Sequence, residues 1–353
     1  MINFTEKLSK IHIPFLSSLH VYFDLGTSLT RIAIKDKGVV LREPSYIGYN
    51  SRSREYLFFG TEAKTILGKT PDFIKISRPM VNGILSDFDA EVALMHHFLQ
   101  RGIYPYFSSY KFIKPQLTGF TCIPALATEI EQKAVQEVLM KTGCSRVYSV
   151  EKSLATAAGC GFDVFSHQPH FIVDAGAGLI ELAIISGGGI VVQKTIKNAG
   201  DHMNKLIANY THLKHGVLLG EATCEELKTT LLNFTDEEDA LTVRGKSLET
   251  GLPKSIRMKS SDVKEALINN FTQILDGVKE LIEISPPEIA NEVFKYGITV
   301  TGNMAGIKGL DHYIATELKI ETYVPTHYAD AAIYGLIALG KSPQNFIKLG
   351  NGR

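Results

Sequence analysis

HFIVDAGAGLIELAIIS, residues 170–186, runs an apolar strand into Asp174, turns through small residues and returns as a second apolar strand. HVYFDLGTSLTRIAI, residues 20–34, does the same. Superposed on Asp24 and Asp174, Gly26 matches Gly176, Leu29 matches Leu179 and Ala33-Ile34 matches Ala183-Ile184, an internal repeat with a period of 150 residues. Solenoid repeats are about 20 to 50 residues long, so this one predicts two similar domains. Each motif reads as a β-hairpin with a glycine turn. Glycine lets backbone N–H groups come close to an anion. An aspartate at the same tip repels a phosphate unless a divalent cation lies between them. Mg²⁺ suits that place, because it takes oxygen ligands and keeps several waters. Two such hairpins face to face predict a two-sided grip on a triphosphate. The plainer alternative is two unrelated hairpins with turn aspartates.

A third glycine site, YGITVTGNMAGIKGLDHYI at 296–314, reads as a strand, a turn and a helix. A helix N-terminus offers free N–H groups to a nucleotide, although the pattern is neither GxGxxG nor a Walker A loop.

The bulk numbers bound the class. A chain of 353 residues holds two ordinary domains. It is 44% apolar and 21% charged, which is globular composition. The 37 basic residues balance the 37 acidic ones, which argues against a broad nucleic-acid footprint. Cys122, Cys144, Cys160 and Cys224 have no CxxC spacing, so they propose neither a zinc site nor a disulfide framework, and a reducing cytosol fits. His96-His97 has no HExxH partner and receives no metal role. No apolar run reaches the roughly 18 to 20 residues of a membrane span. Residues 1–19 lack a signal-peptide pattern and read as an arm.

Two helices are legible by period. In EIEQKAVQEVLMKTG, Ile130, Ala134, Val135, Val138 and Leu139 form a stripe that Gly143 ends. In SSDVKEALINNFTQILDGVKELIE, Ser261-Asp262 reads as the cap, and Val263, Leu267, Phe271, Ile274, Val278 and Leu281 form one face. The acidic run 236–240 reads as a solvated loop tip.

The two hairpins and the third turn, in this order, resemble the actin, Hsp70 and sugar-kinase superfamily. Within it, EPSYIG (43–48), FGTEAKTILGKTPDFIKISRPMVNGILSDFDA (59–90), IKNAGDHMNKLI, LLGEATCEELK, TGLPKSI and ISPPEIANEVFKYGITVTGN resemble the MreB family of bacterial actins. The resemblance spans about residues 20–342. It implies an α/β, actin-like fold of two domains and four subdomains around a nucleotide cleft. Domain I would run 20–152, with 326–353 returning to it and a small subdomain at about 43–74. Domain II would run 153–325, with a small subdomain at about 198–252. It implies ATP and Mg²⁺ as ligands, with Asp24 and Asp174 holding the metal through water. It also implies homopolymer filaments, co-assembly with paralogous subunits, and a cytoskeletal role in shape or motility at the inner face of the cell membrane. Residues carried over as nucleotide contacts are Asp24, Gly26, Thr27 and Ser28; Asp174, Gly176, Ala177 and Gly178; Glu225 and Lys228 toward the ribose; and Gly302, Asn303 and Met304 at the adenosine turn. Glu225 and Lys228 are one helical turn apart, so an ordinary salt-bridged pair is the alternative. The membrane-insertion pair would be Phe112-Ile113, flanked by Lys111 and Lys114, with a loop folded onto the core as the alternative.

The departures cluster at the chemistry. The segment matching SVEKSLATAAGCG (149–161) carries two glutamates and a proline in that family, and the second glutamate orients the attacking water. Its position here is Lys152. A threonine that helps hold the water is replaced by Leu179. Leu29 stands for an asparagine, and GNMAG for a glycine triplet. A lysine ammonium has three donors and no acceptor, and leucine offers water nothing, so at most slow ATP hydrolysis is expected. Lys152 would instead pair with the γ-phosphate. A one-residue shift placing Glu151 in the role, or a Lys152 turned to solvent, are the alternatives. A sugar-kinase-like enzyme lacks its acceptor-activating carboxylate here, an Hsp70-like chaperone its long C-terminal domain, and a non-polymerising adaptor stays open.

Overall fold

The computed structural model describes residues 18–107 and 116–350. Phe112 and Ile113, and the N-terminal arm as far as residue 17, lie outside these residues. Two five-stranded sheets carry the architecture. The first contains β1 (Leu19–Leu25), β2 (Leu29–Ile34), β3 (Gly38–Pro44), β4 (Leu117–Ile123) and β5 (Cys144–Glu151). The second contains β6 (His170–Ala175), β7 (Ile180–Ser186), β8 (Gly189–Ile196), β9 (Ile298–Thr301) and β10 (Thr322–Tyr323). Their strand orders are β3-β2-β1-β4-β5 and β8-β7-β6-β9-β10, so the internal repeat extends from a hairpin to a whole sheet. In each, the first three strands pair antiparallel and the last two add in parallel. β1 and β6 are central and covered on both faces, which is why they read as nearly unbroken apolar runs.

The helix α1 (Glu129–Lys141) starts at Thr128, whose hydroxyl accepts from the Glu131 amide while Glu131 accepts from the Thr128 amide. Val135, Val138 and Leu139 face the core, and Gly143 has a positive φ of 122° just past the end. Ile130 departs from the expected stripe, because it sits in the first turn, before the helix meets the sheet, and is 80% exposed. α3 (Ser260–Ile284) buries the whole expected face from Val263 to Leu281. Its cap differs from expectation. The helix begins at Ser260, and Asp262 instead reaches back from its third position to accept from the Lys259 amide at 3.0 Å. The acidic segment 236–240 is exposed, with Glu237 paired to Lys308 and Glu238 accepting from Ser261.

One apolar core lies on the outer face of each sheet, and a third joins them: Tyr22, Ala33 and Phe120 from the first sheet meet Ile172, Ala183 and Ile185 from the second. Through this shared core run α2 (Lys152–Gly159), which leaves β5, and α4 (Ala331–Leu339). They cross at paired glycines. A Cβ on Gly159 would lie 1.7 Å from the Ala331 carbonyl oxygen, and one on Gly335 would lie 1.6 Å from that of Ala155. Ala155-x-x-x-Gly159 and Ala331-x-x-x-Gly335 thus let two helix backbones touch, and α2 delivers Lys152 to the space between the sheets. Among the described residues, no helix is long and apolar enough to cross a membrane.

Candidate nucleotide cleft

The tips of β1–β2 and β6–β7 face each other across one cleft. Asp24, Gly26, Thr27, Ser28, Lys152, Asp174, Gly176, Ala177, Gly178, Leu179, Gly302 and Asn303 all line it. The fit between the tips is tight. Thr27 Oγ1 accepts from the Gly83 amide at 2.8 Å, and a Cβ on Gly178 would lie 2.3 Å from that same oxygen. Gly178→Ala will therefore cost about 1–3 kcal/mol of stability, the usual price of overpacking. It will also weaken nucleotide binding by forcing the tips apart. A denaturant melt and a binding titration that both match wild type would refute that apposition. The second turn is held from behind as well. The carbonyls of Gly176 and Ala177 accept from the amides of Gly200 and Asp201, at the start of the helix Gly200–His215.

The register assigns each aspartate a cross-strand partner. Asp24 lies opposite Arg31, and Asp174 lies opposite Glu181. The first pair is self-neutralising, since Arg31 Nη1 donates to Asp24 Oδ2 at 3.0 Å. Arg31 also binds Asp330 Oδ1 at 2.6 Å and the Ala329 carbonyl at 2.6 Å, and Arg42 holds the other oxygen of Asp330. Burial works to raise the Asp330 pKa, but Arg42 and Arg31 bring it below the usual carboxylate value. The second pair sets two buried carboxylates side by side, an arrangement that is destabilising without a cation. Lys152 supplies the cation: its Nζ lies 2.9 Å from Asp174 Oδ2 and 3.9 Å from Glu181 Oε2. Burial alone would lower the Lys152 pKa, yet Asp174 and then Glu181 hold it above its ordinary value. Burial pushes Glu181 up to about 7, against the pull of Lys152, and its other oxygen accepts from the Ala125 amide at 3.0 Å. Cys122 Sγ sits 4.0 Å from Asp24 Oδ1, and burial followed by Asp24 raises its pKa.

Several expectations need correction. Lys152 does not turn to solvent. Glu151 faces away from the cleft, into a separate cavity beside Gln132, Gln136 and Ser149, so the one-residue shift fails. Leu179 lines the cleft and is buried, with its side chain close to Gly83. Glu225 and Lys228 do not pair with each other. Glu225 pairs with Lys64 at 3.2 Å, and Lys228 donates to the Gly200 carbonyl at 2.7 Å. With Arg78, which binds Asp201 at 2.7 Å and Glu221 at 3.4 Å, Lys64 ties the segment before residue 80 to the helices that follow residue 200. At the third glycine site, Gly302 has φ 83°, and a Cβ there would strike the Ala175 carbonyl and Asp174 Oδ1, at 2.5 and 2.6 Å, so both backbone angle and space call for glycine. A 3₁₀ turn, Asn303–Gly306, follows, and the helix starts only at Leu310. Its N-terminus is thus not at the turn, and Met304 is buried in the core of the second half.

Arg31, Glu181, Cys122 and Asp330 were not singled out from the sequence. The repeat carried a signal for two of them, since position 31 plus the period of 150 is position 181, a charge at the same place in each apolar strand.

Two sheets of one topology, joined through a shared core with facing hairpin tips, define an actin-like fold. The family model described as MreB/Mbl protein matches residues 18–348, and the chain belongs to that family. It is 34% identical over 318 residues to the cell shape-determining protein Mbl of Bacillus subtilis (strain 168), covering 88% of this chain and 92% of that one. The crystal structure of MreB5 of Spiroplasma citri bound to AMPPNP superposes with a TM-score of 0.88 at 30% identity, over 95% of this chain and 99% of that chain. The ADP-bound structure of the same protein gives 0.87 at the same identity and coverage.

Proposed function

We propose that the chain is the ATP-binding subunit of a cytoskeletal filament that lies along the inner face of the cell membrane and supports shape or motility. The observation that carries this is the apposition of two matched glycine turns, Gly26–Ser28 and Gly176–Gly178, across one cleft. Its relatives support it: MreB5 was solved with two adenine nucleotides, and Mbl is a cell shape-determining protein. Backbone N–H groups of both turns would hold the phosphates, and Gly302 and Asn303 would meet the base side. The two five-stranded sheets support a division into 20–152 with 326–353, and 153–325.

The carboxylates that would hold Mg²⁺ through water are Asp24 and Asp174, and each already has a protein cation at 2.9 to 3.0 Å. Among the described residues, no three His, Cys, Asp or Glu side chains converge as a metal site. The donor set as it stands does not fit a divalent cation, so no step is routed through one.

Exposed apolar side chains suit subunit contacts. Leu213, Leu218, Leu248 and Leu252 are exposed on or beside the three-stranded sheet of Val217–Leu218, Ala240–Ser247 and Pro253–Lys259, and Ile284, Phe294 and Tyr296 on or beside the helix Pro287–Tyr296. Paired antiparallel protofilaments, paralogous partners and a membrane contact through Phe112-Ile113 belong to the same reading. Purified protein is expected to sediment as filaments with ATP and to show them by negative stain. A monomer with ATP, ADP and a non-hydrolysable analogue, at every salt and protein concentration, would leave the non-polymerising adaptor.

A further inference from the structure

We propose that the Lys152 ammonium replaces the divalent cation in this cleft, bridging Asp174 to a bound polyphosphate so that nucleotide binding does not require Mg²⁺. The inference rests on the nucleotide reading above.

The two hairpins solve one electrostatic problem in two ways. Each places a buried aspartate at its tip, where a polyphosphate would meet like charge. In the first, the residue opposite Asp24 is Arg31, which neutralises it within the hairpin. In the second, the residue opposite Asp174 is another acid, Glu181, so the hairpin itself doubles the negative charge. A cation must enter from outside, and the two candidates are a metal ion or a side chain. The chain supplies a side chain. Lys152 is the first residue of α2, fixed in place by the glycine crossing, and its Nζ sits between the two acids and lines the cleft.

The geometry suits bridging. An ammonium carries three N–H donors. Of the two acids, only Asp174 is within hydrogen-bonding distance, so donors remain for a phosphate oxygen. A Mg²⁺ ion demands octahedral oxygens at about 2.0–2.1 Å, and reaching the same Asp174 oxygen would bring it against a fixed positive charge. Arg31 and Lys152 are the cations set against Asp24 and Asp174, the two aspartates at the hairpin tips.

The test is the affinity of the full chain for ATP and AMPPNP, by calorimetry, in Mg²⁺ and in excess EDTA. Wild type is expected to change by less than about threefold, well within one tenfold step of affinity. Lys152→Gln, which removes the charge and leaves a shorter polar side chain, should weaken binding under both conditions. Lys152→Glu gathers three carboxylates and should bind only with Mg²⁺, losing at least about tenfold on chelation. A wild type that loses tenfold or more in EDTA overturns the replacement and leaves the nucleotide cleft standing. No binding under either condition overturns both. If Lys152→Glu does not fold, the wild-type comparison and Lys152→Gln decide alone: Lys152→Gln binding as tightly as wild type also refutes the bridge.

Discussion

Replacing Gly335 by alanine will leave little folded protein. The new methyl would sit 1.6 Å from the Ala155 carbonyl oxygen, an atom of a helix backbone that cannot rotate away. Gly159→Ala meets the Ala331 carbonyl at 1.7 Å and should behave alike. Either change must push α2 and α4 apart, and these helices run through the core that joins the two sheets. Overpacking a core usually costs about 1–3 kcal/mol because side chains shift. Here backbone meets backbone, so the cost belongs to the exceptional class above about 4–5 kcal/mol, a large share of the roughly 5–15 kcal/mol that holds a domain. Gly189→Ala is the control, since a Cβ there has nothing within 4 Å and the change should be nearly neutral. Soluble yield and a thermal melt of the three variants decide the matter. A Gly335→Ala protein melting with wild type would show that the helices do not touch as described.

That crossing was not legible in the sequence, and the reason is physical. Ala155, Gly159, Ala331 and Gly335 are small residues with no chemistry of their own, and their partnership spans 176 positions between Gly159 and Gly335. No local period records such a contact. The hairpins were legible because their signal is local: β-rich apolar runs broken by an aspartate and glycines, repeated at one period. The same repeat placed Arg31 and Glu181 at equivalent positions, but a charge in a buried strand declares its role only when the register shows what stands opposite it. Local pattern also misled in small ways. Ile130 fits a helical stripe by spacing, yet it precedes the contact with the sheet. Glu225 and Lys228 fit a helical ion pair, yet each found a partner outside its helix, Lys64 and the Gly200 carbonyl, because the two halves approach one another there. Leu179 reads as a lost water ligand, and its side chain also packs close to Gly83, a contact no local pattern records.

The position of Lys152 bears on rate as well as binding. Hydrolysis needs a water placed in line with the γ-phosphoryl group and a partner that accepts its hydrogen bond. Lys152 has no lone pair to offer, and its Nζ is held by Asp174. Asp174 is itself turned to that ammonium, so it is not free to serve in its place. Phosphate release at saturating ATP is therefore expected to be slow. A general base contributes about 10²–10⁴-fold when well placed. Lys152→Glu should recover less than that, about tenfold to a hundredfold, because a water then has one acceptor and no second support. Leu179→Thr alone should change the rate by less than about twofold, because the ammonium remains. It should also cost stability, because it trims a buried apolar side chain packed close to Gly83. The double variant should exceed the product of the two single gains, since both groups serve one water and neighbouring sites couple. The measurement is steady-state phosphate release for all four proteins, with Mg²⁺ present throughout. A wild-type rate equal to that of a family member carrying glutamate and threonine at these positions, assayed side by side, would mean that the water is held by something other than residues 152 and 179.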